Sequence, residues 1–223
     1  GGDGSANDKD TNERSIKAFI NAGIDVFVWI FARQGRALQE SLGYKRFIDM
    51  GAKGAIINAE FEFQKASAID ARFLVDSIRN AGVGWVAHAP PDYAGSADMD
   101  PWNTLDEACD AVMPQVYAWE HNDSGHVSHL NAVKARYLAK GTPIEKVWPI
   151  LCSYRPKTRG FDPKTSKALS TPTMQQEAQR VALDLIAGLE HEWVKSSQAP
   201  SIYSLDAVTF INGKDDQVVR ALS

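Results

Sequence analysis

The stretch Gly54-Ala55-Ile56-Ile57-Asn58-Ala59-Glu60-Phe61-Glu62-Phe63 joins an apolar run to three polar side chains that stand two residues apart. Its first half predicts a buried β-strand. An extended backbone through the whole stretch would place Asn58, Glu60 and Glu62 on one face, because successive side chains alternate. Two neighbouring carboxylates on a buried strand are costly unless they are paired or hydrated. We therefore expect this segment to carry function.

Outward from this stretch, helix patterns alternate with strand patterns along the chain. The predicted strands are short, apolar and bounded by loops, and a helical pattern precedes each of them, as in a parallel sheet. They cover residues 25–33, 54–63, 83–89, 110–119, 146–154 and 201–211. The alternation predicts an α/β fold, either a (β/α)8-type TIM barrel or an open doubly wound sheet.

Two observations favour the barrel. No Gly-rich phosphate loop follows any predicted strand. Polar and aromatic residues gather at the C-terminal strand ends, which form the active face of a barrel. These residues are Arg33, Glu60, Glu62, His88, Tyr117, Trp119, Tyr154 and Arg155. We predict one barrel domain over residues 1–223, with one or two N-terminal strands either missing from this chain or too short to recognise.

Composition narrows the function classes. The chain has 223 residues, of which 44% are hydrophobic, enough for one sizeable core. Its net charge of -4 argues against a nucleic-acid partner. No apolar run reaches the roughly 18 residues of a membrane span. We expect a monomer without a cofactor, in which Cys109 and Cys152 are buried free thiols.

The acidic segment resembles the fourth-strand motif Asp-x-Asp-x-Glu of glycoside hydrolase family 18, the chitinases and endo-N-acetylglucosaminidases. Asn58, Glu60 and Glu62 occupy the matching positions. The later Met113-Pro114-Gln115-Val116-Tyr117 is similar to the sixth strand of that family, and Tyr203-Ser204-Leu205-Asp206 resembles a closing barrel strand. Glycoside hydrolase family 25, the lysozymes, is the second resemblance, through its Asp-x-Glu.

In both families the last acid of the motif donates the proton, so the resemblance assigns Glu62 as general acid and base. The middle acid of family 18 orients the substrate N-acetyl group, which attacks the anomeric carbon. The Glu60 side chain is longer than that of the middle Asp. Asn58, in the place of the first Asp of the motif, carries no charge. The role of Glu60 therefore stays open between nucleophile, stabiliser and orienter.

The remaining site residues are predicted to bind substrate. Aromatic rings suit the apolar faces of sugars, and polar side chains fix the sugar hydroxyls. The predicted set comprises Asn58, His88, Gln115, Tyr117, Trp119, Tyr154, Arg155 and Asp206. A structural hydrogen bond is an equal alternative for His88, and ordinary core packing is the alternative for the aromatic residues.

The sequence thus predicts a retaining glycoside hydrolase acting on an amino-sugar polysaccharide, either a chitin-like glycan or peptidoglycan. Such a substrate favours a secreted or cell-wall-directed protein, although the first ten residues do not reveal localisation. A non-catalytic carbohydrate-binding barrel is one alternative. A metal-dependent barrel hydrolase is another, using His88 and the group at residues 121–129. We assign no metal site, because residues 122–125 read as a loop and helix cap.

Overall fold

Parallel strands alternate with helices in a computed structural model that describes residues 6–92, 100–117, 125–152, 171–196 and 201–203. The predicted α/β class is confirmed. Among the described helices, none is long and apolar enough to cross a membrane. The predicted site residues Trp119, Tyr154, Arg155 and Asp206 lie outside the described residues.

The chain divides into two compact units. The first unit comprises Gly1–Pro90 with Ala97–Val112, and the second comprises Pro91–Ser96 with Met113–Ser223. Elements of the first unit follow in the order α1 Ala6–Asn21, β1 Phe27–Phe31, α2 Ala37–Asp49, β2 Gly54–Asn58, α3 Ala68–Asn80, β3 Val86–His88, α4 Asp100–Ala108 and β4 Ala111–Val112. Its four strands form a parallel sheet in the order β1-β2-β3-β4.

Register brings the C-terminal strand ends of the first unit to one edge. Phe31 lies opposite Asn58, and His88 lies opposite both Ile57 and Val112. Neighbouring parallel strands end at the same level only when their pairing register is not shifted, and this sheet meets that condition. The side chains that follow these strand ends therefore emerge at the same edge.

Helix α3 shows how local sequence sets an element. Ser67 caps its N-terminus by accepting the backbone N–H of Asp70, whose carboxylate accepts the Ser67 N–H in return. Leu74, Val75 and Ile78 are buried on the face against the sheet. The helical spacing of these apolar residues, rather than propensity alone, holds the helix in place.

The second unit carries the other elements: β5 Gln115–Val116, α5 His126–Lys140, β6 Ile150–Cys152, α6 Thr171–Leu189, α7 Glu192–Ser196 and β7 Ser201–Tyr203. Its three strands form a parallel sheet in the order β5-β6-β7. Leu130 and Val133 from α5 and Leu185 from α6 are fully buried in its core. No closed sheet is found among the strands that the structure describes.

The predicted strand over residues 54–63 is wrong beyond Asn58. Phe61–Phe63 is a 3₁₀ turn, in which the Phe63 N–H donates to the Glu60 carbonyl at 3.0 Å. The last ladder bond with β1 runs from the Ala32 N–H to the Asn58 carbonyl. Both neighbouring strands end at this level, so no ladder partner holds the backbone extended further, and burial of the Phe63 ring favours the turn.

The predicted strand over residues 110–119 is also wrong as a single element. It divides into β4, which pairs with β3, and β5, which pairs with β6. Met113 and Pro114 separate the two. Proline has no N–H to donate to a ladder, and it is therefore a natural point for a strand to break.

Gly54 offers a test of the strand packing. A Cβ built on Gly54 lies 2.8 Å from the Trp85 carbonyl oxygen and 2.7 Å from its ring. Backbone does not yield as a flexible side chain does, so we expect Gly54→Ala to lower the free energy of unfolding by about 1–3 kcal/mol.

Urea denaturation of both proteins measures this difference. Gly84→Ala is the matched control, because nothing lies within 4 Å of a Cβ at that position. We expect the control to change stability by no more than about 0.5 kcal/mol. Equal effects of the two substitutions would contradict the steric explanation.

Candidate functional site

The candidate site lies at the C-terminal edge of the first sheet, where the acidic segment leaves β2. Asn58 ends the strand and is half-buried, as is Glu60 just before the 3₁₀ turn. Glu62 lies within the turn and is exposed. Because the backbone is not extended beyond Asn58, strand alternation no longer places the two glutamates on one face. Their catalytic roles stay predictions.

A tryptophan from α4 fixes the backbone between Asn58 and Glu60. The indole Nε1 of Trp102 donates to the Ala59 carbonyl at 3.1 Å, and both residues are fully buried. Phe63 is buried at the other end of the turn. A buried carbonyl needs a donor, so this contact anchors the segment that carries the acids.

His88 ends β3 at the same edge and contacts an acid. Its Nδ1 lies 3.4 Å from Oδ1 of Asp106, which belongs to α4. The His88 side chain is fully buried and Asp106 nearly so. The sequence placed His88 at a strand end, as observed, but gave no sign of its carboxylate partner. Substrate binding by His88 remains a prediction.

Glu40 lies at the same edge of the first sheet and is not among the residues that the sequence predicted. It extends from α2 to the end of β1, where its Oε1 accepts the Arg33 N–H at 2.8 Å. Burial raises the pKa of Glu40 from 4.5 to about 7, and the hydrogen bond and charge of Arg33 oppose this shift only in part. Acids with such raised pKa values are common at functional sites. The only sign of Glu40 in the sequence was an acidic residue that falls between the start of a helix and the core-facing positions of that helix.

Tyr44 lies one turn further along α2 and links the neighbouring strands β1 and β2. Its hydroxyl lies 2.8 Å from the Ile56 carbonyl and 3.2 Å from the Ile30 carbonyl. Burial raises the pKa of Tyr44 well above 10.0, and the nearby Glu40 charge adds to this shift. The phenol therefore stays a hydrogen-bond donor at every physiological pH.

Gln115 and Tyr117 belong to the second unit, where both are buried, together with Met113. Gln115 starts β5, and the Tyr117 N–H donates to the Gln115 carbonyl at 2.9 Å, which turns the backbone just beyond the strand. The strand face on which polar and aromatic side chains were predicted is thus short, because β5 ends at Val116. Contact of Gln115 and Tyr117 with a substrate remains a prediction.

The histidines of the suspected metal group do not converge. His126 contacts Asp184, whereas Nε2 of His129 lies 2.6 Å from Oδ2 of Asp92. Each imidazole thus contacts its own acid. Within the described residues no three His, Cys, Asp or Glu side chains group around a point that suits a metal ion. His121 and Asp123 lie outside those residues.

Comparison with known proteins shows a likeness in fold to solved structures. No family model matches the chain, and no curated protein does either. Among solved structures, the family 18 chitinase ChiB of Flavobacterium johnsoniae matches at TM-score 0.59 and 12% identity, over 92% of this chain and 78% of that one. The catalytic domain of a family 18 chitinase from the fern Peteris ryukyuensis matches at 0.55 and 12%, over 94% and 77%.

A family 18 chitinase from Crocus vernus matches at TM-score 0.52 and 12% identity, over 87% of this chain and 71% of that one. The three matches confirm the resemblance to family 18 at the level of the fold. At this identity they carry no information on which residues act in this chain.

The raised pKa of Glu40 predicts a pH dependence of stability. Between pH 4.5 and about 7 the folded state binds more protons than the unfolded state, because only the folded carboxyl keeps its proton there. Stability linked to Glu40 is full below pH 4.5 and falls as pH rises through 7. We expect a loss of up to about 3 kcal/mol across this window.

Glu40→Gln keeps an acceptor for the Arg33 N–H and cannot ionise, so it should remove this decline. Urea denaturation at several pH values between 4 and 8 measures it. Glu145→Gln, at an exposed position, is the control and should retain the wild-type slope. An unchanged slope in Glu40→Gln would contradict the assignment.

Proposed function

We propose that the protein is a retaining glycoside hydrolase that cleaves an amino-sugar polysaccharide, such as a chitin-like glycan or peptidoglycan. The observation that carries this proposal is an anchored turn at the end of β2 that presents Glu62 to solvent beside the half-buried Glu60. The likeness in fold to family 18 chitinases supports it. We also propose that the parallel strands belong to one (β/α)8-type barrel domain.

The chemistry assigns different tasks to the two acids. Protonated Glu62 gives its proton to the glycosidic oxygen as the bond from that oxygen to the anomeric carbon breaks. The positive charge that develops on the sugar is met by Glu60 or by the substrate N-acetyl oxygen. Glu62, now a carboxylate, then takes a proton from the water that adds to the anomeric carbon. The sum is hydrolysis, with Glu62 restored.

The two acids have environments that suit these tasks. Glu62 is exposed, so a polymer can reach it, while Glu60 is more enclosed and closer to the strand end. The contact of Trp102 with Ala59 holds the backbone immediately before both acids. Catalytic side chains require such support, because small errors in position lower the rate steeply.

Substitution of Glu62 tests the proposal. We expect Glu62→Gln to lower kcat on chito-oligosaccharides or peptidoglycan fragments by about 10²–10⁴-fold, because general acid and base catalysis contributes this much. Binding, measured by calorimetry, should persist. Proton NMR of the wild-type products should show that the anomeric configuration is retained.

The control for Glu62→Gln is Glu145→Gln, another exposed glutamate outside the site. It should hydrolyse at the wild-type rate. Full activity of Glu62→Gln on every glycan that the wild type cleaves would exclude Glu62 as the acid.

A non-catalytic glycan-binding barrel is the second candidate. It is favoured by Asn58 and Glu60, which replace the two aspartates of the family 18 motif with an uncharged and a longer side chain. Wild-type protein that binds chito-oligosaccharides without turnover would support this candidate and contradict the first.

A further inference from the structure

A cysteine, a histidine and an aspartate meet in the second unit, whereas the acids of the proposed function belong to the first. Cys152 ends β6, His126 begins α5, and Asp184 lies in α6. The Cys152 Sγ lies 3.7 Å from Nε2 of His126, and Nδ1 of the same ring contacts Asp184 Oδ2. Thiol, imidazole and carboxylate thus follow one another in a line.

This order fixes the direction of proton transfer. A carboxylate only accepts hydrogen bonds, so the Asp184 contact places a proton on Nδ1 of His126. The other nitrogen, Nε2, then has a lone pair directed at the thiol. A histidine arranged in this way accepts the thiol proton and raises the nucleophilicity of the sulfur.

The close approach of the three groups is built into the backbone. A Cβ at Gly188 would lie 2.8 Å from the His126 Cβ, and a Cβ at Gly125 would lie 2.7 Å from Asp184 Oδ1. Both positions therefore need glycine for α6 to bring its carboxylate to the start of α5. Asp184 also accepts the His126 backbone N–H at 3.0 Å, which caps α5 where Gly125 has no side chain to do so.

Burial limits what can react there. The side chains of Cys152 and His126 are both 0% exposed, which excludes a polymer or a bulky electrophile. Reagents close to water in size can reach buried groups when the fold opens locally. The negative charge of Asp184 further favours a neutral reagent over an anion.

We propose that Cys152 is a nucleophilic thiol that small neutral hydroperoxides oxidise to a sulfenic acid. The proposal is independent of glycoside hydrolysis. His126 Nε2 takes the thiol proton, the sulfur attacks one peroxide oxygen, and the O–O bond breaks. The sulfur gains a hydroxyl and loses two electrons, while the leaving oxygen takes the proton from His126 and departs as water or an alcohol.

Competition between the two cysteines of the full chain tests this assignment. Cys109 is the other buried cysteine outside any disulfide, with 3% exposure, and therefore controls for burial. The folded protein is treated with hydrogen peroxide, catalase removes the excess, and the chain is then unfolded in urea that contains dimedone. Peptide mass spectrometry measures the trapped sulfenic acid at each cysteine. We expect Cys152 to react at least about tenfold faster than Cys109. Dithiothreitol added before dimedone should restore the thiol.

Asp184→Asn separates activation from capping. The amide oxygen still accepts the His126 N–H, so the fold should persist by circular dichroism, but the charge that orients the imidazole is lost. We expect oxidation of Cys152 to slow toward the rate of Cys109 and to depend more steeply on pH between 6 and 8. Cys152 reacting no faster than Cys109, or a wild-type rate in folded Asp184→Asn, would overturn the proposal.

Discussion

The hydrogen bond from Trp102 to the Ala59 carbonyl holds the backbone at the point where β2 ends and the acidic segment begins. The Asn58 carbonyl accepts the last ladder hydrogen bond with the β1 side, from the Ala32 N–H. The next buried carbonyl, that of Ala59, needs a donor from elsewhere, and α4 supplies the indole. This donor comes from 43 residues further along the chain. The local turn that carries Glu62 therefore depends on a distant helix.

The alternation of helices and strands, the parallel pairing and the location of polar residues at strand ends were all predictable from sequence. These predictions depend on the spacing of apolar residues, which a short segment of sequence is enough to show. The end of β2 at Asn58 was not predictable in this way, because the apolar pattern continues to Phe63 while the ladder partners do not. Likewise Pro114 was visible in the sequence, but the different partners of β4 and β5 were not.

The acids that accompany the histidines show the same limit at the level of the site. The sequence shows His126 and His129 on one helix but does not show the acid that each of them contacts. Asp184 lies 58 residues from His126 in the chain, and helix α4 and strands β4 and β5 separate Asp92 from both histidines. Tertiary packing determines which residues pair at such separations, and no local pattern in a single sequence reveals these pairs.

The raised pKa of Glu40 affects the net charge of the protein in solution. The formal charge of -4 counts every carboxyl as ionised. With a pKa of about 7, the Glu40 carboxyl is only partly ionised in the folded protein at neutral pH. The native population is thus a mixture of two charge states that differ by one proton at the end of β1. In one state Glu40 only accepts hydrogen bonds, and in the other it also has a proton to donate.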